Sequence, residues 1–98
     1  MQLTEKQRRH LKGLAHPLKP VILMGNSGLT EAVVAETSRA LASHELIKVR
    51  LPGLDRDERD AALKSLAERT DSAFVTRIGH IAVLFKPHEK VSRYVLPA

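Results

Sequence analysis

Gly25-Asn26-Ser27-Gly28 follows the apolar run Val21 to Met24 and precedes Leu29-Thr30, where helical spacing begins. Glycine permits positive φ and lets a ligand's backbone come close with no Cβ in the way. The start of a helix leaves its first N–H groups unpaired and aimed outward, which favours an anion. Asn26 and Ser27 add side-chain donors, Thr30 stands at the helix mouth, and Lys19 lies just ahead of the strand. The chemistry on offer is the grip of a phosphate by backbone amides.

Two familiar phosphate sites are excluded. Leu29-Thr30 stands where a nucleotide-hydrolysing P-loop needs Lys-Ser/Thr, and two glycines fall short of the three in a dinucleotide fingerprint. A clamp of the kind KH domains place on single strands remains, although here it would join a strand to a helix rather than two helices. Most turns of this form serve only as tight connections, so the surrounding charge matters. Near the N-terminus Lys6, Arg8, Arg9, Lys12 and Lys19 stand against Glu5 alone, and the residues from 61 onward are also basic, while the middle is neutral or acidic. If the two ends meet in space they form one basic face, the footprint of nucleic-acid binding; otherwise they are a solvated surface.

Other chemistry finds little support. No two of the histidines at 10, 16, 44, 80 and 88 are spaced at i, i+4 on a predicted helix, so no metal is expected, and solvent-facing or helix-end positions suit them. Asp55, Asp57, Glu58 and Asp60 alternate with Arg56 and Arg59 at a helix start, where capping and pairing account for them. The serines lack a nucleophile-elbow context. No catalytic residue and no cofactor is expected. The three aromatics are too few for base stacking on a sheet: Phe74 and Phe85 read as core, and Tyr94 alone is free.

The positioning elements follow from periodicity. Thr4 to Gln7 fits a capping box opening a first helix, with Leu3, Gln7, Leu11 and Leu14 inward, which must stop before His16-Pro17. Arg8 and Lys12, four residues apart, repel on that helix. Val21 to Met24 reads as a strand covered on both faces. A second helix runs from about Leu29 or Thr30 to His44. Leu46 to Leu51 is a second strand, broken by Pro52-Gly53, and Asp55 caps a third helix to about Arg69. Ala73 to Ile78 and Ile81 to Lys86 form a hairpin across Gly79-His80. The tail Val91 to Leu96 adds an edge strand or covers the core. The expected order is α-β-α-β-α-β-β, an α/β chain of the α+β two-layer type: a mixed four-stranded sheet packed with three helices.

Ninety-eight residues leave room for one core, so a single domain over 1–98 is expected. The absence of cysteine excludes disulfides, thiolate zinc and cysteine nucleophiles. No apolar run, Val21 to Met24 included, approaches the length of a membrane span, and the first residues lack the order of a secretory signal. A cytoplasmic chain with no membrane partner and no small-molecule substrate is expected.

Leu11 to Pro20, the strand leading into Gly25-Asn26-Ser27-Gly28-Leu29-Thr30-Glu31, and His44 to Val49 together resemble the CRM domain (chloroplast RNA splicing and ribosome maturation), in its stand-alone bacterial YhbY-like form. The resemblance spans about residues 3–87, leaving 88–98 as a tail. It implies a fold like the C-terminal domain of translation initiation factor three and a non-catalytic RNA-binding protein, acting on ribosomal RNA in precursors of the large ribosomal subunit. The family's loop carries over onto Gly25 to Gly28 and its basic surface onto Lys12 and Lys19, with Arg8 and Arg9 adding attraction. The expected protein is a monomer. A rival reading is a protein-interaction module using an exposed edge strand at Ile81 to Lys86, or the tail, to dock on ribosomal proteins or assembly factors. Sequence-independent DNA binding is a third.

Overall fold

The computed structural model describes residues 2–51, 53 and 55–98. Pro52, expected to break the second strand, lies outside them. Local capping chemistry sets the helices. Thr4 Oγ1 accepts from Gln7 N at 3.1 Å while Gln7 Oε1 accepts from Thr4 N at 3.0 Å, so the capping box opens α1, Glu5–Ala15. Thr30 Oγ1 accepts from Val33 N and starts α2, Glu31–His44. Asp55 does the same through Glu58 N for α3, Arg56–Thr70.

The strands are β1, Ile22–Leu23; β2, Leu46–Arg50; β3, Ala73–Ile78; and β4, Ile81–Phe85. They form one mixed sheet in the order β1-β2-β4-β3, parallel between β1 and β2 and antiparallel elsewhere. The expected α+β architecture of three helices on a mixed four-stranded sheet is observed. Residues alternate between the two sheet faces, and each face has its own core. On one, Ile22, Met24, Ile47, Val49, Ala82 and Leu84 pack beneath α2 and α3. On the other, Leu46, Val75, Val83 and Phe85 meet Leu11 and Ala15 of α1.

Five expectations are corrected. Leu14 is 40% exposed, and Ala15, four residues after Leu11, takes its place inside. The Arg8 guanidinium donates to the carbonyls of Phe74 (2.6 Å) and Val75 (2.7 Å), where a register shift between Phe74 and Thr76 interrupts the ladder. Hydrogen bonding there and the ion pair with Glu5 also turn Arg8 away from the expected repulsion with Lys12. β1 is covered on one face only, with Val21 51% and Leu23 68% exposed, since α1 packs on β2 and β3. Phe74 is 38% exposed: it shares a sheet face with Leu84 at an edge that α3 does not fully cover. Ile81–Phe85 is not an edge strand, because β2 pairs with the side of β4 that the hairpin leaves free. The edges are β1 and β3, and Arg8 blunts the latter, a common protection against stray strand pairing.

The tail covers the core. Tyr94 meets Phe85 edge-on, centroids 5.9 Å apart at 85°, and Leu96 packs on the same cluster. Gln7 Nε2 donates to Pro97 O at 3.0 Å, so the two chain ends do meet. The tail is anchored by Glu45, whose side chain is wholly buried. Its carboxylate accepts from His88 N (2.7 Å) and Arg93 N (2.8 Å). The backbone at Glu45 sits at φ 64°.

Gly13 sits inside α1, exposed, with nothing within 4 Å of where a Cβ would lie. Packing gives it no reason to be glycine. Gly13→Ala should therefore stabilise the fold by about 0.5–1 kcal/mol, raising the thermal midpoint by roughly 2–8 °C. A lowered midpoint would show a constraint at this turn that the open space does not reveal.

Candidate nucleic-acid interface

The Gly25–Gly28 segment is a hydrogen-bonded turn. Met24 N donates to Arg50 O at 2.8 Å, fixing the end of β1 against β2, and Gly28 N donates to Gly25 O at 2.9 Å. Gly28 has φ 74°, the left-handed conformation that redirects the chain into α2. The Gly28 amide is thereby occupied. Val33 N is taken by the Thr30 side chain and Val34 N by Thr30 O. Among the described residues, no protein acceptor takes the amides of Asn26, Ser27, Leu29, Thr30, Glu31 or Ala32. Asn26 and Ser27 are exposed at the tip. Their donors and the helix dipole face solvent together.

Charge around this mouth differs from expectation in its source. Lys19 is exposed but enters at the opposite end of the strand, ahead of the Val21 N to Lys48 O bond, about 15 Å away at strand rise. Lys12 and Arg9 are exposed on α1. Arg8 is held at β3, the far edge of the sheet from β1. A cation beside the turn is one the sequence reading missed: Arg50, paired across to Leu23 and exposed. Its signal lay in being the last residue of a strand parallel to β1, which only the register reveals. Arg69 pairs with Glu31, offsetting the one acid in the first turn of α2. Lys48 is spent on structure, its Nζ donating to the carbonyls of His16 and Leu18. Tyr94, expected free, is packed on Phe85. Among the described residues, no group of three or more His, Asp or Glu side chains could hold a metal.

Three helices, a mixed sheet in the order β1-β2-β4-β3, and a glycine-bracketed turn feeding a helix define an α+β domain with solvent-facing amides at a helix start. The CRS1 / YhbY (CRM) domain model matches residues 3–86, and the chain belongs to that family. A Haemophilus influenzae protein named as an RNA-binding protein is 48% identical over 88 residues, covering 90% of this chain and 89% of that one. A Pseudomonas aeruginosa protein named as a probable RNA-binding protein is 42% identical over 93 residues, covering 95% and 89%. The solution structure of a hypothetical protein from Staphylococcus aureus aligns with TM-score 0.86 at 31% identity, covering 98% of this chain and all of the other.

Proposed function

We propose that this protein binds RNA without catalysing a reaction, and that its target is ribosomal RNA within precursors of the large ribosomal subunit. The unoccupied amides between Asn26 and Ala32 carry the reading. An RNA backbone laid across Gly25–Gly28 would accept hydrogen bonds from them at phosphate or 2′-hydroxyl oxygens. Lys12, Lys19, Arg9 and Arg50 supply attraction, while Arg8 lends charge without leaving β3. Family membership and the names of the relatives support RNA as the partner.

The mechanism is electrostatic and therefore salt-dependent. With about four cations neutralising phosphates, log affinity against log salt for a single-stranded ribosomal RNA fragment should fall with a slope near −3. Titration by fluorescence anisotropy at several salt concentrations measures it. A flat response from low to moderate salt would contradict the phosphate grip.

A further inference from the structure

The sheet face that carries α1 is only half covered. Across its open end the register aligns Leu23 with Arg50, Arg50 with Ile81, and Ile81 with Ile78, one residue from each strand. Leu23 is 68% and Ile78 58% exposed, Arg50 is exposed, and Ile81 is half-buried. Side chains paired across a sheet share a face, so these four form a continuous row. The row contains no acid, and among the described residues Arg50 has no carboxylate partner. Contiguous exposed apolar surface marks an interaction site.

We infer that the Leu23–Arg50–Ile81–Ile78 row is a platform for unpaired nucleobases of the strand whose backbone the Gly25–Gly28 turn grips. The inference rests on the RNA reading above. Leu23 immediately precedes Met24 and the turn, so a strand held there by its phosphates has its bases within reach of the row. A flat base covers aliphatic surface, and a guanidinium is a plane on which bases stack. The cation in the row and the open amides at one end attract a polyanion, and the aliphatic surface beside them favours one that carries flat bases over an acidic peptide. The three aromatics take no part: Phe85 and Tyr94 are packed together, and Phe74 lies on the other face. The row spans four strands, about 14 Å at the usual strand spacing, room for about two bases.

The test compares a short unstructured RNA with a fully paired duplex of the same strand, by anisotropy, for wild type, the double variant Leu23→Ser/Ile78→Ser, and Gly25→Val. The substituted row residues are exposed, and a thermal melt checks their fold. The double variant should lose about 10-fold in affinity for the single strand, with duplex affinity and salt slope unchanged, since no phosphate contact is removed. In the unsubstituted protein, methyl resonances of Leu23, Ile78 and Ile81 should show ring-current shifts with the single strand and none with the duplex. Unchanged single-strand affinity together with unmoved methyls overturns the platform while leaving the RNA reading in place. Unchanged RNA affinity with loss of self-association, or of ribosomal-protein binding in nuclease-treated extract, overturns it in favour of a protein interface. Wild type that binds neither RNA refutes the underlying reading and the platform with it. A silent Gly25→Val beside a defective double variant removes the turn and keeps the row.

Discussion

Gly25→Val should weaken binding to single-stranded RNA by about 30-fold while the melting temperature stays close to wild type. Gly25 is the cleaner of the two glycines to change. Its φ lies outside the left-handed region, and a Cβ there would meet nothing within 4 Å. The turn bond uses its carbonyl, which valine keeps. At Gly28, φ 74° makes any side chain strained whatever the space, about 1–2 kcal/mol, so a Gly28 variant confounds a distorted turn with a blocked one. The expected loss at Gly25 follows from the chemistry of the contact. The isopropyl group of valine beside the open amides holds a phosphate out of hydrogen-bond range, and one lost bond to a charged group is worth about 2 kcal/mol, a factor of about 30. Anisotropy titration reads the affinity and circular dichroism the melt. Wild-type affinity in a folded Gly25→Val protein would take the turn out of the interface and leave the basic residues to act alone.

What could be read from the residues in order, and what could not, divides along sequence separation. The caps at Thr4, Thr30 and Asp55 each satisfy amides three residues away, so local chemistry announces them. The same is true of Gly28, whose left-handed φ serves a turn closed within four residues. Sheet order is different. The partner of Leu23 is Arg50, and the partner of Arg50 is Ile81; neither pairing is encoded near either residue. Hence β4 read as an edge, β1 read as covered twice, and Arg50 escaped notice beside the turn it flanks. Arg8 illustrates the same limit from the other side. As one of a run of cations it reads as solvent-facing charge, yet two carbonyls at an irregular stretch of β3, 66 and 67 residues along, claim its guanidinium. Its charge remains at the surface, but its position is dictated by the sheet.

Glu45 is the position whose structural weight was least legible, and its loss should have the largest effect on stability. Between His44 and Leu46 it looks like the ordinary end of a helix. In the fold it is wholly buried, at a φ of 64° that favours glycine, and its carboxylate holds the tail through His88 N and Arg93 N. The His88 ring secures the same corner. Nε2 lies 2.6 Å from Ala42 O, and since a carbonyl only accepts, Nε2 carries the proton there. Burial alone would push the Glu45 carboxyl up, but the backbone N–H of His88, the Ser92 hydroxyl, the backbone N–H of Arg93 and the nearby His88 ring outweigh it. The carboxyl therefore sits below its ordinary value of 4.5. A depressed folded-state value means that the stabilisation is complete above the unfolded value and disappears as pH falls through the folded one. Glu45→Gln places an amide N–H₂ against a backbone donor and should cost about 2 kcal/mol near neutral pH, or roughly 8–16 °C in melting temperature. The gap between wild type and variant should then close as pH drops below about 4.5. Tyr94 is the sole tyrosine in a chain without tryptophan, so its fluorescence reports on the tail directly: in the variant it should take on the signal of a solvated tyrosine before the helices melt. A stability gap that stays constant into acid would show that Glu45 acts through its shape rather than its charge.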